Sequence, residues 1–270
     1  MKKRLVSFLG GFAFLTVACS VVIAGQIKIY DDRPPSVAKN LNNGFYPDIA
    51  GDTKDNIFVI FQGNEIKNIN TGKSSILPCI GISKSIGGKK FSKPNSATSE
   101  ESYTINCPSL AVDGSGVIHI AYYADDKIFY IKSEDQGINF STPIFVSETK
   151  TAFQTKPSIA IFKKHIYLVW EGEKDNIFLS KSFDGKVFSK NKIVNNPKTG
   201  IDKEPRIAIG SDETLYIIWS AKKDNIYWGV FLVKSMDKGE SFSRPRRIDD
   251  NEFFETRNPD IATFGKKMFM

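Results

Sequence analysis

The chain has 270 residues, 41% of them hydrophobic and 12% aromatic, with 37 Lys and Arg against 30 Asp and Glu for a net charge of +7. Lys2, Lys3 and Arg4 supply three of those charges, so the rest of the chain carries about +4, and its lysines are spread through turns such as FKKH and AKKDN without aromatic interleaving. A nucleic-acid-binding surface is therefore not expected, and the roughly 245 residues after the first segment are the size of a single all-β domain.

The first segment reads as a targeting sequence. MKKR is a positive start, LVSFLGGFAFLTVACSVVIAG is apolar, and Val22 and Ala24 are small residues suited to cleavage after Ala24. Residues 1–24 are thus a signal peptide or an N-terminal membrane anchor, since an apolar run of 21 residues is long enough to span. LTVAC also resembles a bacterial lipobox, with its leucine one place too far from Cys19, which makes lipidation a third option. Each option exports residues 25–270 to a secreted, periplasmic or envelope-anchored location, and membrane contact is expected only through that anchor or lipid.

Two markers then recur on one period. YPDIA, CPSLA, KPSIA, EPRIA and NPDIA place prolines at 47, 108, 157, 205 and 259. An acidic turn ending in phenylalanine places Phe91, Phe140, Phe188 and Phe242 at steps of 49, 48 and 54 residues. Its copies carry Ser133, Asp135 and Gly137; Ser182, Asp184 and Gly185; Ser235, Asp237 and Gly239; and, without an acid, Ser85 and Gly88. Between the markers run alternating segments such as DNIFVIF, GVIHIAYY, HIYLVW and TLYIIW, then KIFYIKS, NIFLSKS and VFLVKS. Each repeat reads as four strands: A at P-x-I-A, B ending in an aromatic, C entering the turn and D leaving it. Four strands in this length make a propeller blade. The blades fall near 47–94, 108–143, 157–194 and 205–248, with a partial one at 259–270 and a closing strand at 26–30.

The turn S-x-D-x-G-x-x-F resembles the Asp box, or BNR repeat, of the sialidase-like β-propellers, and the resemblance covers residues 47 to 264. Its physical role needs no family. Ser and Asp side chains bond turn amides, Gly permits a positive φ, and the phenylalanine folds back under the turn as a staple for the C to D hairpin. The resemblance implies six blades, so four blades and a part of another suggest a ring truncated at its C-terminus, with a closed five-bladed ring as the alternative. It also implies that a ligand binds opposite the turns, on the face of the D to A linkers and B to C loops. The first B to C loop, Gln62 to Pro78, is some 12 residues longer than its counterparts.

A sialidase needs three arginines on the substrate carboxylate, a Tyr nucleophile with a Glu partner, and an Asp acid/base. Arg33, Arg206 and Arg257 sit in or beside D to A linkers, and Glu204 stands next to Arg206. The arginine that the family carries before the first strand A is missing from GFYPDIA, and no residue matches the nucleophilic tyrosine. Tyr123, Trp170 and Trp219 near B-strand ends are candidates for stacking on sugar rings, or else for blade-to-blade packing. Cys79 and Cys107 sit toward one face and form either a disulfide or two thiols. His119 and His165 are lone, and phosphate loops and metal spacings are missing, so neither metal nor cofactor is expected. The favoured function is binding of a ligand, a glycan for example, by an exported propeller. A sialidase-type glycosidase and a structural or protein-binding platform are the alternatives.

Overall fold

The structure is a computed structural model that describes residues 45–68, 74–98, 104–148, 155–195, 200–223, 227–249 and 256–270. The targeting segment, Cys19, the closing strand at 26–30 and Arg33 lie outside the described residues.

Four antiparallel sheets follow one another, each with its strands in chain order. Blade 1 holds β1 (Phe45–Gly51), β2 (Ile57–Asn68), β3 (Ser74–Ser85) and β4 (Asn95–Ser96). Blade 2 holds β5 (Asn106–Val112), β6 (Ile118–Ala124), β7 (Lys127–Ser133) and β8 (Ile144–Phe145). Blade 3 holds β9 (Ser158–Phe162), β10 (His165–Glu171), β11 (Ile177–Ser182) and β12 (Lys192–Ile193). Blade 4 holds β13 (Gly200–Ile209), β14 (Leu215–Lys223), β15 (Tyr227–Ser235) and β16 (Arg246–Arg247), and the pair β17 (Ala262–Phe264) and β18 (Lys267–Phe269) begins another. The chain is an all-β propeller of four complete blades and a partial fifth. The long segment after Gln62 is not a loop: it continues the β2–β3 hairpin as a two-stranded ribbon, paired from Gly63 with Cys79 to Asn68 with Ser74.

The alternation read in the sequence divides each second strand between two neighbours. From β6, Ile118, Ile120 and Tyr122 join a core with Phe58, Ile60, Ile80 and Ile82 of blade 1. Ala121 and Tyr123 from the same strand join Ile159, Leu168 and Trp170 of blade 3. Both faces of the sheet are thus covered, and each fully buried aromatic or aliphatic side chain contributes roughly 1.5–3 kcal/mol. The phenylalanines of the acidic turns belong to the same joints. Phe140 packs into the core between blades 1 and 2, Phe188 between blades 2 and 3, and Phe242 between blades 3 and 4. They reach the preceding blade rather than merely bracing their own hairpin.

The polar part of the turn behaves as its residue types dictate. The Ser133 hydroxyl accepts from the Gly137 amide at 2.8 Å and donates to Asp135, whose other bonds come from the amides of Ile138 and Asn139. Ser235, Asp237 and Gly239 repeat the pattern, and Ser182 accepts from the Gly185 amide at 2.9 Å. Donation by the Asn139 amide and the Ser133 hydroxyl holds the Asp135 carboxyl down at about 2. The glycine is required twice over. Gly185 has φ +72°, and a Cβ there would lie 2.6 Å from the Tyr130 hydroxyl of blade 2, itself held 2.7 Å from His119 Nδ1.

Two further devices recur. Strand D has only two paired residues in each blade, and the ladder is continued by one polar side chain after it. The strand C amides of Ile80, Ile128, Ile177 and Val230 donate to Thr98, Ser147, Asn195 and Asp249, at 2.8 to 3.2 Å. At the other edge, strand A in each of blades 1, 2 and 3 is joined to strand A of the next. Asp48 accepts from the Leu110 amide at 2.8 Å, Ser109 from the Ile159 amide at 3.4 Å, and Ser158 from the Ile207 amide at 3.2 Å. The accepting residue is always the x of P-x-I-A, and the amide always belongs to the residue after the next x.

Cys79, in the third strand of blade 1, and Cys107, in the first strand of blade 2, are two buried thiols, not the disulfide weighed from the sequence. Burial pushes the Cys107 thiol up to about 11, against the pull of Lys156 and Arg206.

The turn geometry predicts unequal effects for one substitution at two equivalent glycines. Gly88→Ala and Gly185→Ala both meet positive-φ strain of roughly 1–2 kcal/mol, but a Cβ at Gly88 has nothing within 4 Å. Gly185→Ala is expected to lower the unfolding free energy in urea by at least ~1 kcal/mol more than Gly88→Ala. Equal losses would mean that the turn does not press on the preceding blade.

Candidate functional site

An antiparallel meander of four strands puts its A–B and C–D turns on one face and its B–C turns and D to A linkers on the other. The second face also carries strained backbone. Tyr46, Cys107, Glu204 and Asn258, each immediately before the proline of P-x-I-A, have φ of +49°, +48°, +58° and +53°. The first three lie in β-bulges, where the pairing of strand A with strand B slips between Phe45 and Asp48, between Asn106 and Ser109, and between Lys203 and Arg206. A proline is tolerated at a bulge on an edge strand because no ladder bond needs its missing N–H. Left-handed backbone at a bulky residue persists only when its surroundings impose it. Here it re-aims one side chain per bulged blade at the inner end of strand A.

Those side chains share one electrostatic neighbourhood. Lys156 Nζ lies 5.3 Å from the centre of the Tyr46 ring. Lys156 and Arg206 both act on the Cys107 thiol, and Arg206 also acts on Asp48. Burial pushes the Asp48 carboxyl up, while the amides of Leu110 and Ile49, the Arg206 charge and the Ser109 hydroxyl pull it back. Arg206 occupies the x of the fourth P-x-I-A, where blades 1 to 3 have an acceptor. A guanidinium cannot accept, so the strand-to-strand relay stops there, and the Ile261 amide turns to its own Asp260 at 2.9 Å. Arg206 Nη1 donates to the Pro205 carbonyl at 3.1 Å. Among the described residues neither Arg206 nor Lys156 has a carboxylate at ion-pair distance.

Beside this pair of cations lies a second group, already satisfied internally. Glu204 accepts from the Ser220 hydroxyl and the Asn258 amide, both at 3.0 Å, and stands 3.5 Å from Arg257 Nη2. The Arg257 guanidinium lies over the Trp228 ring, 4.4 Å from its centre. Glu171, at the end of β10, has its carboxyl raised chiefly by burial and pairs with Lys203 at 3.2 Å.

Of the residues singled out in the sequence, Arg206, Glu204 and Arg257 do stand on this face, with Arg257 engaged by Glu204 and Trp228. Tyr123 and Trp219 do not serve as stacking platforms. Both are almost fully buried, as is Trp170; Tyr123 donates to Asp126 at 2.8 Å, and Trp219 stacks on Phe231. Alternation along strand B turns them into the joints between blades. Tyr46, Lys156 and Glu171 fall in linkers and loops expected on this face but were not singled out as site residues, and Trp228 escaped the sequence reading. For Tyr46 a signal existed, since it precedes a recurrent proline; for Trp228 there was none.

Neither protein-family models nor the sequences of curated proteins match the chain. Solved structures do. A Dyadobacter fermentans protein of unknown function superposes with TM-score 0.60 at 13% identity, over 81% of this chain and 71% of that one. The α-L-arabinanase of Penicillium chrysogenum, in complex with arabinobiose, gives TM-score 0.57 at 14% identity over 80% and 69%. The NanB sialidase of Streptococcus pneumoniae gives TM-score 0.58 at 9% identity over 81% of this chain and 53% of the sialidase. At such identities the likeness is one of fold.

The coupling of Arg206 to Asp48 has a sign that can be tested. With its folded pKa raised, Asp48 contributes most below its unfolded pKa and progressively less as pH rises through the folded value. Removing Arg206 raises that value further. Arg206→Ala is therefore expected to destabilise by about 1 kcal/mol more at neutral pH than near pH 4 in urea unfolding. An equal loss at both pH values would mean that the guanidinium does not act on Asp48.

Proposed function

We propose that the chain is an exported, sialidase-like propeller whose acidic turns are Asp boxes and whose opposite face binds a glycan carrying an anionic group. The observation that carries this is Arg206. It replaces a structural acceptor in the inner relay, and it lies with Lys156 in one neighbourhood where, among the described residues, neither has a carboxylate at ion-pair distance. Two cations at partly buried positions favour a carboxylate or sulfate, and the planar guanidinium suits bidentate pairing. The fold's likeness to an arabinanase solved with arabinobiose, to a sialidase and to an ulvan lyase bound to a GlcA–Rha3S polymer supports a carbohydrate ligand. The positive n-region and apolar run at the start of the chain support export.

Binding is preferred over sialidase catalysis because Arg257 is already engaged by Glu204 and Trp228, and GFYPDIA carries no arginine ahead of the first strand A. The test is a glycan array followed by calorimetry on the hits. Uronic, sialic or sulfated glycans are expected to bind, with affinity falling about tenfold or more in Arg206→Ala and in Lys156→Ala. Preference for neutral glycans, or unchanged affinity in both variants, would overturn the reading. Turnover of a fluorogenic sialoside that disappears in Arg206→Ala would instead establish the enzyme.

A further inference from the structure

The opposite face, formed by the A–B and C–D turns, presents apolar side chains that the fold does not require. The acidic turn fixes its Ser, Asp, Gly and Phe, and leaves the intervening positions open to any solvated residue. Yet each of the four described C–D turns exposes a large apolar side chain: Ile86 (37% exposed), Ile138 (65%), Phe183 (60%) with Val187 (77%), and Met236 (88%). Single exposed hydrophobics are ordinary, but one on every equivalent turn of one face is a pattern.

The turns of this face carry charges of both signs, Asp55 and Asp212 among the exposed acids, and their lysines cluster on blades 1 and 3. Asp135, Asp184 and Asp237 accept amide bonds within their own turns. Glu134 pairs with Lys132, and Glu240 with Lys181 and Lys192. Lys89, Lys90 and Lys93 on the first C–D turn and Lys186 and Lys190 on the third are exposed, and no ion pair holds any of them among the described residues. The A–B turn of blade 3 adds exposed Lys163 and Lys164.

We propose that this turn face docks on an anionic lipid bilayer, with Ile86, Ile138, Phe183, Val187 and Met236 entering the interface and the turn lysines lying against the headgroups. The arrangement selects that occupant. The tips stand on separate blades, divided from one another by polar turns, so they are separate points rather than one continuous groove for a peptide or helix. A fluid plane accommodates such points one at a time, each gaining by burial of its own apolar surface, while unpaired lysines are attracted to the surface potential. Docked this way, the propeller turns the face of Arg206 and Lys156 away from the membrane.

The test uses the full chain with Met236→Trp as a reporter and vesicles of brominated phosphatidylcholine, with or without phosphatidylglycerol. The wild-type tryptophans, all in buried positions, give the baseline. Because the apolar N-terminal run is present throughout, attachment to vesicles is not the readout; the position of the reporter is. With phosphatidylglycerol its emission is expected to shift to the blue and to be quenched. Both effects should weaken in high salt and be lost in a Phe183→Ser, Val187→Ser background. A reporter that stays water-exposed on bound vesicles, or that is quenched equally without phosphatidylglycerol, overturns the proposal. So does a reporter buried before lipid is added together with a dimeric mass, since the face would then be covered by a second copy of the chain.

Discussion

The propeller depends on how the innermost strand of each blade is satisfied. Strand A is an edge strand, and an edge leaves backbone N–H groups with no ladder partner; buried against a neighbour, each such group must find an acceptor. Asp48, Ser109 and Ser158 provide one for the next blade, always from the same motif position to the same amide. Hydrophobic burial between blades contributes more free energy in total, but it is non-directional. The side-chain relay fixes the rise and register of one blade against the next, so that the large side chains meet in a single arrangement.

The same bonds define where function is placed. A polar side chain used as an acceptor toward the next blade is no longer open to a ligand, so the inner ends of blades 1 to 3 are structurally committed. Blade 4 departs from that commitment by carrying a donor, Arg206, in the acceptor's place. The bulges sharpen the contrast. Each holds the residue before the motif proline at positive φ, which brings Tyr46, Cys107 and Glu204 to the end of the sheet where the linkers enter. Strain kept at three equivalent bulges, on the face where among the described residues two cations have no carboxylate at ion-pair distance, is the arrangement expected where binding and stability compete for the same backbone. On the opposite face no such competition arises, because the turns satisfy their own polar groups and leave the exposed positions free to vary.

The sequence revealed the blades because their signals are local and repeated. The period, the alternation of strand B and the Ser, Asp and Gly of the turn can each be read within a few residues. Relations between blades were less legible. Phe140, Phe188 and Phe242 were recognised as staples, but that they insert against the preceding blade is seen only in the cores that adjacent blades share. The inner relay was visible as a polar x in YPDIA, CPSLA and KPSIA, and the D-strand acceptors as Thr98, Ser147, Asn195 and Asp249. Neither pattern announces its partner, which lies some 18 residues away in one case and about 50 to 62 in the other. For Tyr123 and Trp219 the sequence left two readings open, sugar stacking or blade-to-blade packing, and their burial between blades decides for packing.

The central claim, that one side chain from the inner strand of blades 1 to 3 holds an amide of the next, is most directly examined by native-state hydrogen exchange. The amide protons of Leu110, Ile159 and Ile207 should exchange as slowly as those within the sheets, and Ser158→Ala should selectively release Ile207 while Leu110 and Ile159 remain protected. If Ile207 stays protected in that variant, or if the three amides exchange freely in the parent protein, the blades are not held together in this way.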